Sequence, residues 1–113
     1  MDQKDLLLVP FPFSNQSGKK VRPVIVISNN GFNKNSEDLV VVGVTFNISK
    51  DLYTTNLTSN DLEDGKLFDE CCIKVENILK IDKRLVVKRI GRINEEKFRE
   101  IVSILNEIVK ESG

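Results

Sequence analysis

The sequence predicts a mainly β protein with helices (α+β), in which a strongly bent antiparallel sheet or partial barrel is covered by a C-terminal helix. Short apolar segments rich in β-branched residues recur along most of the chain, separated by polar turn residues. Only the last segment repeats its apolar residues with a helical period. The 113 residues contain no internal repeat or linker, so one domain is predicted over residues 1–113.

The first half of the chain predicts three strands. Residues 6–9 form a short apolar strand, and Pro10 and Pro12 place it at a sheet edge or at a bulge because proline cannot donate to a ladder. Residues 22–28 and 39–45 are strongly β-branched and predict buried strands. Gly43 predicts a bend or a close approach within the third strand. Residues 14–20 and 29–38 are predicted loops.

The second half predicts shorter pieces and then a helix. Residues 46–66 are mostly polar loops, with a short strand near residues 52–55 and a turn at Asp64-Gly65. A strand over residues 67–75, a turn over 76–81 and a strand over 85–89 follow. Asn94 is a good N-cap for a helix whose apolar face is Phe98, Ile101, Val102, Leu105, Ile108 and Val109. The charged residues of this helix are expected largely on its other face: Lys97, Arg99, Glu100, Glu107 and Lys110.

Composition limits the classes of function. Formal net charge is zero, which argues against a protein that coats nucleic acid nonspecifically. Residues 61–70 are acidic and residues 80–92 are basic, and a local basic surface and a solvated charged face both fit the second segment. No apolar run is long enough for a membrane helix and the polar start is not a secretory signal, so a cytoplasmic protein without membrane contact is expected.

The cysteines and the missing histidine limit the chemistry. Cys71 and Cys72 are adjacent and the chain has no histidine, which argues against a zinc site and against Cys–His catalysis. Both thiols are expected to be packing residues in a reducing compartment. No metal and no cofactor is predicted.

Arg22 and Thr45 are the candidate catalytic residues. Arg22 stands at the start of an apolar strand, next to Pro23, and its planar guanidinium matches phosphate oxygens. A salt bridge at a strand end explains Arg22 equally well. Thr45 ends an apolar strand, where its hydroxyl could donate to a phosphorane oxygen, although β-propensity alone also accounts for a threonine there.

Five further residues are candidates for binding RNA. Gly18, Lys19 and Lys20 form a flexible basic loop before Arg22, which suits RNA phosphates and suits a solvated hairpin loop as well. Asn77 could bind a base edge or a phosphate, or simply form a turn. The fifth candidate, Lys80, depends on the family resemblance described next.

Four segments in order resemble the MazF/PemK toxins, small endoribonucleases of bacterial toxin–antitoxin systems. The most specific is Val-Pro-Phe-Pro-Phe at residues 9–13, followed by Ser-Gly-x-Lys-x-Arg-Pro at 17–23 and an apolar strand at 24–27. An apolar strand ending in threonine follows at 40–45, then a segment similar to Glu-x-Ile-x-x-Ile-Asp-Lys at 76–85, and Ile-Gly-Arg-Ile at 90–93.

The resemblance implies an SH3-like partial barrel of the CcdB/Kid/MazF type and metal-independent, sequence-specific cleavage of single-stranded RNA. The substrate's 2′-hydroxyl would attack the adjacent phosphate and leave a 2′,3′-cyclic phosphate and a 5′-hydroxyl. Arg22 would be the main catalytic residue and Thr45 its partner. The protein would be a homodimer with RNA across the interface, inhibited by a cognate antitoxin, and would contact operator DNA only as the toxin–antitoxin complex.

One departure and two alternatives accompany the resemblance. Some relatives carry an arginine where this chain has Leu79, so Lys80, or else Lys83, is the candidate for a second phosphate contact. One alternative is a growth inhibitor of the same fold that binds a protein such as DNA gyrase, as CcdB does, although the tryptophan that those proteins use is missing here. The other is a binding module that has lost its nuclease activity.

Overall fold

The computed structural model describes residues 1–11 and 20–113. The described residues form seven strands and two helices. The strands are β1 (Asp5–Phe11), β2 (Lys20–Val26), β3 (Asp38–Thr45), β4 (Thr54–Leu57), β5 (Leu62–Gly65), β6 (Cys71–Asp82) and β7 (Lys88–Ile93). The helices are α1 (Asn30–Asn35) and α2 (Glu95–Val109), and 3-10 turns occur at Ser59–Asp61 and Lys83–Leu85.

The seven strands form one antiparallel sheet with the order β4-β6-β3-β2-β1-β7-β5. Strand β1 lies inside this sheet rather than at its edge. Its ladder with β7 carries a register shift between Leu6 and Leu7 and ends at Leu8, so Pro10 lies beyond the last β7 pair. The register shift therefore lies at Leu6 and Leu7 and not at Pro10, which pairs with Val21 of β2. Pro10 needs no amide on its other side because the β7 ladder has ended there. Pro12 lies outside the described residues.

Apolar side chains bury both faces of the sheet. The first core combines one face with α2 and contains Leu6, Ile25, Val42, Val44, Leu57, Cys71, Ile73, Val75, Ile93 and Ile101. The second core lies on the other face and contains Leu7, Val9, Val24, Val26, Leu39, Val41 and Ile81. Burial on both faces explains why the central strands are continuous apolar runs rather than alternating ones.

Helix α2 begins as the sequence predicts. The side chain of Asn94 accepts a hydrogen bond from the Lys97 backbone amide at 2.8 Å, which caps the helix. The expected exposure of Lys97 is wrong, because this side chain is buried. Its ammonium donates to Glu100 at 2.8 Å and to Thr55 on β4 at 3.2 Å, which ties the helix to the sheet edge. No helix among the described residues is long and apolar enough to cross a membrane.

Three local predictions are wrong. Residues 30–35 form α1, capped by Asn29, where the sequence predicts a loop. Asp64 and Gly65 lie in strand β5, not in a turn. The strand predicted over 67–75 and the turn predicted over 76–81 are largely one twelve-residue strand, β6, which follows the sheet through a bulge instead of reversing.

Candidate functional site

Strands β2 and β3 bring the two predicted catalytic residues to one end of the sheet. Their described ladder pairs Val24 with Gly43, and both strands continue for at least two residues past this pair. Arg22 stands two residues before Val24, and Thr45 stands two residues after Gly43. The paired rungs end at Val24 and Gly43, and continuing the same register by two residues would set Arg22 opposite Thr45. We call this place the β2–β3 fork.

Both side chains lie on the face of the second core. Arg22 is opposite Val9, a member of that core, so it shares the face of Val9. Thr45 follows Val44, a member of the first core, and successive strand residues point to opposite faces. Arg22 and Thr45 are each partly exposed, so the face that they share is open to solvent at the fork.

A bulge in β6 adds Asn77 to the fork. Val42 pairs with Ile78 while its neighbour Gly43 pairs with Lys74, so three residues of β6 stand between two adjacent rungs. The bulge folds the Asn77 side chain over Gly43, where a β-carbon added to the glycine would lie 2.7 Å from the Asn77 Nδ2 atom. Glycine at position 43 thus makes the space that Asn77 occupies, which confirms the close approach expected there.

The Thr45 hydroxyl is oriented by the loop that follows it. Its oxygen accepts a hydrogen bond from the Asn47 backbone amide at 3.2 Å. A hydroxyl has one proton and two lone pairs, so accepting this bond leaves the proton available to a ligand at the fork.

Lys74 is a cation at the fork that the sequence did not indicate. It lies between Ile73 and Val75, both in the first core, so its side chain shares the face of Arg22 and Thr45. It is diagonal to Thr45, whose direct partner is Cys72. Only the pairing of β6 with β3 identifies this position, because the lysine stands in a segment without clear alternation.

Of the other predicted binding residues that the structure describes, Lys20 lies near the fork and Lys80 does not. Lys20 is exposed at the start of β2, two residues from Arg22 and on the same face. Lys80 is opposite Val40, five positions from Thr45 along β3 and so about 16 Å away. It points to the other face and lies 3.9 Å from the Asp38 carboxylate. The structure therefore does not bring Lys80 to the fork. Gly18 and Lys19 lie outside the described residues.

The basic segment at residues 80–92 is largely neutralised by carboxylates. Four of its basic side chains lie within 4.0 Å of a carboxylate. The pairs are Lys80 with Asp38, Arg84 with Asp82, Arg89 with both Asp5 and Asp64, and Arg92 with Glu63. The hydrogen bonds that Arg89 donates, first to Asp64 and then to Asp5, raise the pKa of its guanidinium. Lys83 donates to the backbone carbonyl of Asn33 instead of facing the fork. Of the two interpretations of this segment, the structure favours a paired charged face over a basic surface.

The thiols are not placed for chemistry. Cys71 and Cys72 are both buried and free. Burial, with a further effect of Asp69, raises the pKa of Cys71 to about 11, so this thiol stays protonated at neutral pH. Packing is the role that fits both residues.

A family model described as "PemK-like, MazF-like toxin of type II toxin-antitoxin system" matches residues 2–109. The chain belongs to this toxin family. The resemblance noted in the sequence is thereby confirmed over nearly the whole chain.

Solved structures agree with the toxin's fold. A mycobacterial endoribonuclease in complex with its cognate antitoxin superimposes with a TM-score of 0.78 at 14% identity, covering 100% of this chain and 98% of that chain. The Mycobacterium tuberculosis toxin MazF-mt6 gives 0.76 at 11% identity, covering 96% and 99%. The Deinococcus radiodurans MazE-MazF complex (form III) gives 0.76 at 16% identity, covering 99% and 98%. The predicted MazF-type partial barrel with a C-terminal helix is therefore the fold of this toxin.

Proposed function

We propose that this toxin is a sequence-specific endoribonuclease that cuts single-stranded RNA without a metal ion at the β2–β3 fork. The observation that carries the proposal is the position of Arg22 and Thr45, which the register brings to one end and one open face of the sheet. Two residues that are distant in sequence share a place suited to one phosphate group.

The proposed chemistry uses the substrate's own nucleophile. The 2′-hydroxyl attacks the adjacent phosphorus, the bond to the 5′-oxygen breaks, and the products are a 2′,3′-cyclic phosphate and a 5′-hydroxyl. The phosphorane formed on the way carries extra negative charge, which the Arg22 guanidinium stabilises more strongly than it stabilises the ground state. Guanidinium groups stay protonated at neutral pH, so the role assigned to Arg22 is electrostatic rather than that of a base.

The remaining fork residues have binding roles in this proposal. Thr45 donates its hydroxyl proton to a phosphorane oxygen, with the Asn47 amide holding the hydroxyl in place. Asn77 presents amide donors and an acceptor beside the reacting phosphate, which suits a base edge. We assign to Lys20 a contact with a phosphate upstream or downstream of the cut, and to Gly18 and Lys19 contacts of the same kind. Lys80 is on the opposite face of the sheet, so it has no contact at the fork in this proposal.

Membership of the family also supports proposals about partners. We propose that the toxin is a cytoplasmic homodimer and that a cognate antitoxin inhibits it. The toxin would contact operator DNA only as part of the toxin–antitoxin complex. The solved relatives support the antitoxin, since one is an endoribonuclease "in complex with its cognate antitoxin" and others are "MazE-MazF".

The test is cleavage of a long single-stranded RNA in EDTA, with the product 5′-ends mapped. We expect discrete cuts with 5′-hydroxyl ends. Arg22→Gln should lower the rate by about a hundredfold or more, because one preorganised charge contributes that much in comparable sites. Arg84→Gln is the matched control, since this arginine is 86% exposed and pairs with Asp82. Uncut RNA across several sequences, or cutting by Arg22→Gln at the normal rate, would contradict the proposal.

A further inference from the structure

We infer that Lys74 binds an RNA phosphate next to the reacting one, and that it leaves Asp51 to do so. The inference rests on the proposed function and deepens it. It assigns the second phosphate contact to a residue that the sequence pattern does not indicate and that the pairing of β6 with β3 identifies.

Position is the first argument. Lys74 is opposite Gly43 and diagonal to Thr45, and diagonal neighbours on adjacent strands lie about 7–8 Å apart. All three are on the second-core face, where Asn77 also lies over Gly43. The flexible four-carbon stem of a lysine lets its ammonium move around such a position.

The other candidates for this contact are the second argument. Leu79 stands where some relatives carry an arginine, and it packs against the second core. Lys80 points to the opposite face beside Asp38, and the Lys83 ammonium donates to the Asn33 carbonyl. Among the three lysines of this comparison, only Lys74 shares the face of Arg22 and Thr45.

The partner of Lys74 is the third argument. Its ammonium lies 3.6 Å from the Asp51 carboxylate, with 33% of the Lys74 side chain and 62% of the Asp51 side chain exposed. Such a solvated pair without a close hydrogen bond is weak and exchanges readily. Asp51 keeps a hydrogen bond from the Ser49 hydroxyl at 2.9 Å, so its carboxylate stays partnered when Lys74 leaves.

A purely structural role for Lys74 makes a different prediction. If the lysine only held the loop of Asp51 against β6, then removing either charge would loosen that loop and weaken RNA binding. If Lys74 contacts phosphate, removing Asp51 frees it and strengthens binding. The two roles therefore predict opposite changes in RNA affinity for Asp51→Asn: weaker binding if Lys74 is structural, and tighter binding if Lys74 contacts phosphate.

The experiment measures binding to a fluorescent RNA that contains the site cut by the unmodified toxin, with a 2′-deoxy nucleotide at the cut so that no 2′-hydroxyl attacks. For Lys74→Gln we expect about tenfold weaker binding, as for the loss of one charged hydrogen bond. The slope of log K against log salt should become shallower by about 0.7, the share of one phosphate contact on a single strand. Lys34→Gln, an exposed lysine on α1, is the matched control and should change neither quantity.

The Asp51 arm decides between the two roles. Asp51→Asn should bind up to about fivefold more tightly, and this gain should vanish in the Lys74→Gln background. Weaker RNA binding by both single variants would overturn the inference, as would an unchanged affinity and salt slope in Lys74→Gln. In either case, RNA cleavage by the unmodified toxin would still uphold the proposed function. Failure of the unmodified toxin to bind and cut RNA would overturn both.

Discussion

Gly43→Ala tests whether the β6 bulge positions Asn77 for the reaction. A β-carbon at position 43 would lie 2.7 Å from the Asn77 Nδ2 atom and 3.3 Å from its Cγ atom. Ordinary contact between such atoms begins near ~3.5 Å, so the amide must move by about 0.8 Å. The amide is the outer end of an exposed side chain, so it can move at little energetic cost.

The expected result is loss of activity without loss of stability. A misplacement of about 1 Å in a site costs up to about a hundredfold in rate, and we expect a fall of roughly ten- to a hundredfold in RNA cleavage. The free energy of unfolding should change by less than about 1 kcal/mol, because alanine also lowers the entropy of the unfolded chain. Urea unfolding and initial cleavage rates on one mapped RNA measure the two quantities.

Asn77→Ala is the control that identifies the cause. If Gly43→Ala acts by moving the Asn77 amide, it should add no further loss of activity once that amide is gone. Defects that multiply in the double variant would refute this reasoning, as would full activity in Gly43→Ala or destabilisation beyond about 3 kcal/mol.

Two further predictions concern stability. Burial raises the pKa of Glu100, but the hydrogen bonds donated by Lys97 and then by Thr55 lower it by more, so the net shift of the pKa is downward. The ionised Glu100 side chain therefore contributes its full stabilisation above the pKa that it has in the unfolded chain. This stabilisation is lost as the pH falls and the carboxylate is protonated. Urea unfolding of Glu100→Gln should show a larger deficit at about pH 7 than at about pH 4, and an equal deficit at both would contradict the shift. Gly91→Ala would place a β-carbon 2.8 Å from a backbone carbonyl of β5. We expect this variant to be destabilised by about 1–3 kcal/mol, measured by thermal unfolding. An unchanged melting temperature would contradict this and would show that β5 is free to move away.

The sequence predicted the elements whose pattern is local. The capping side chain of Asn94 and the three- and four-residue apolar spacing fix helix α2 through contacts within a few residues, so its start was predictable. The β-branched runs of β2 and β3 were equally clear. Arg22 and Thr45 were predicted from the order of motifs that the chain shares with its family, and both lie just past the last paired rung of β2 and β3, at the same end of the sheet.

Tertiary structure decided the features that depend on pairing between distant segments. The segment expected to form a turn over residues 76–81 instead contains a bulge, because β6 pairs with β3 both before and after the register shift. The Val75 backbone amide also donates a hydrogen bond to the Tyr53 carbonyl, just before β4. The same pairing put Lys74 at the fork and Lys80 on the opposite face. A shift of one residue reverses the face of a strand side chain, and only long-range hydrogen bonds and packing set that register. The sequence by itself thus determined the fold class and the closing helix and supplied the prediction of Arg22 and Thr45, whereas the folded sheet decided which lysines share the face of these two residues.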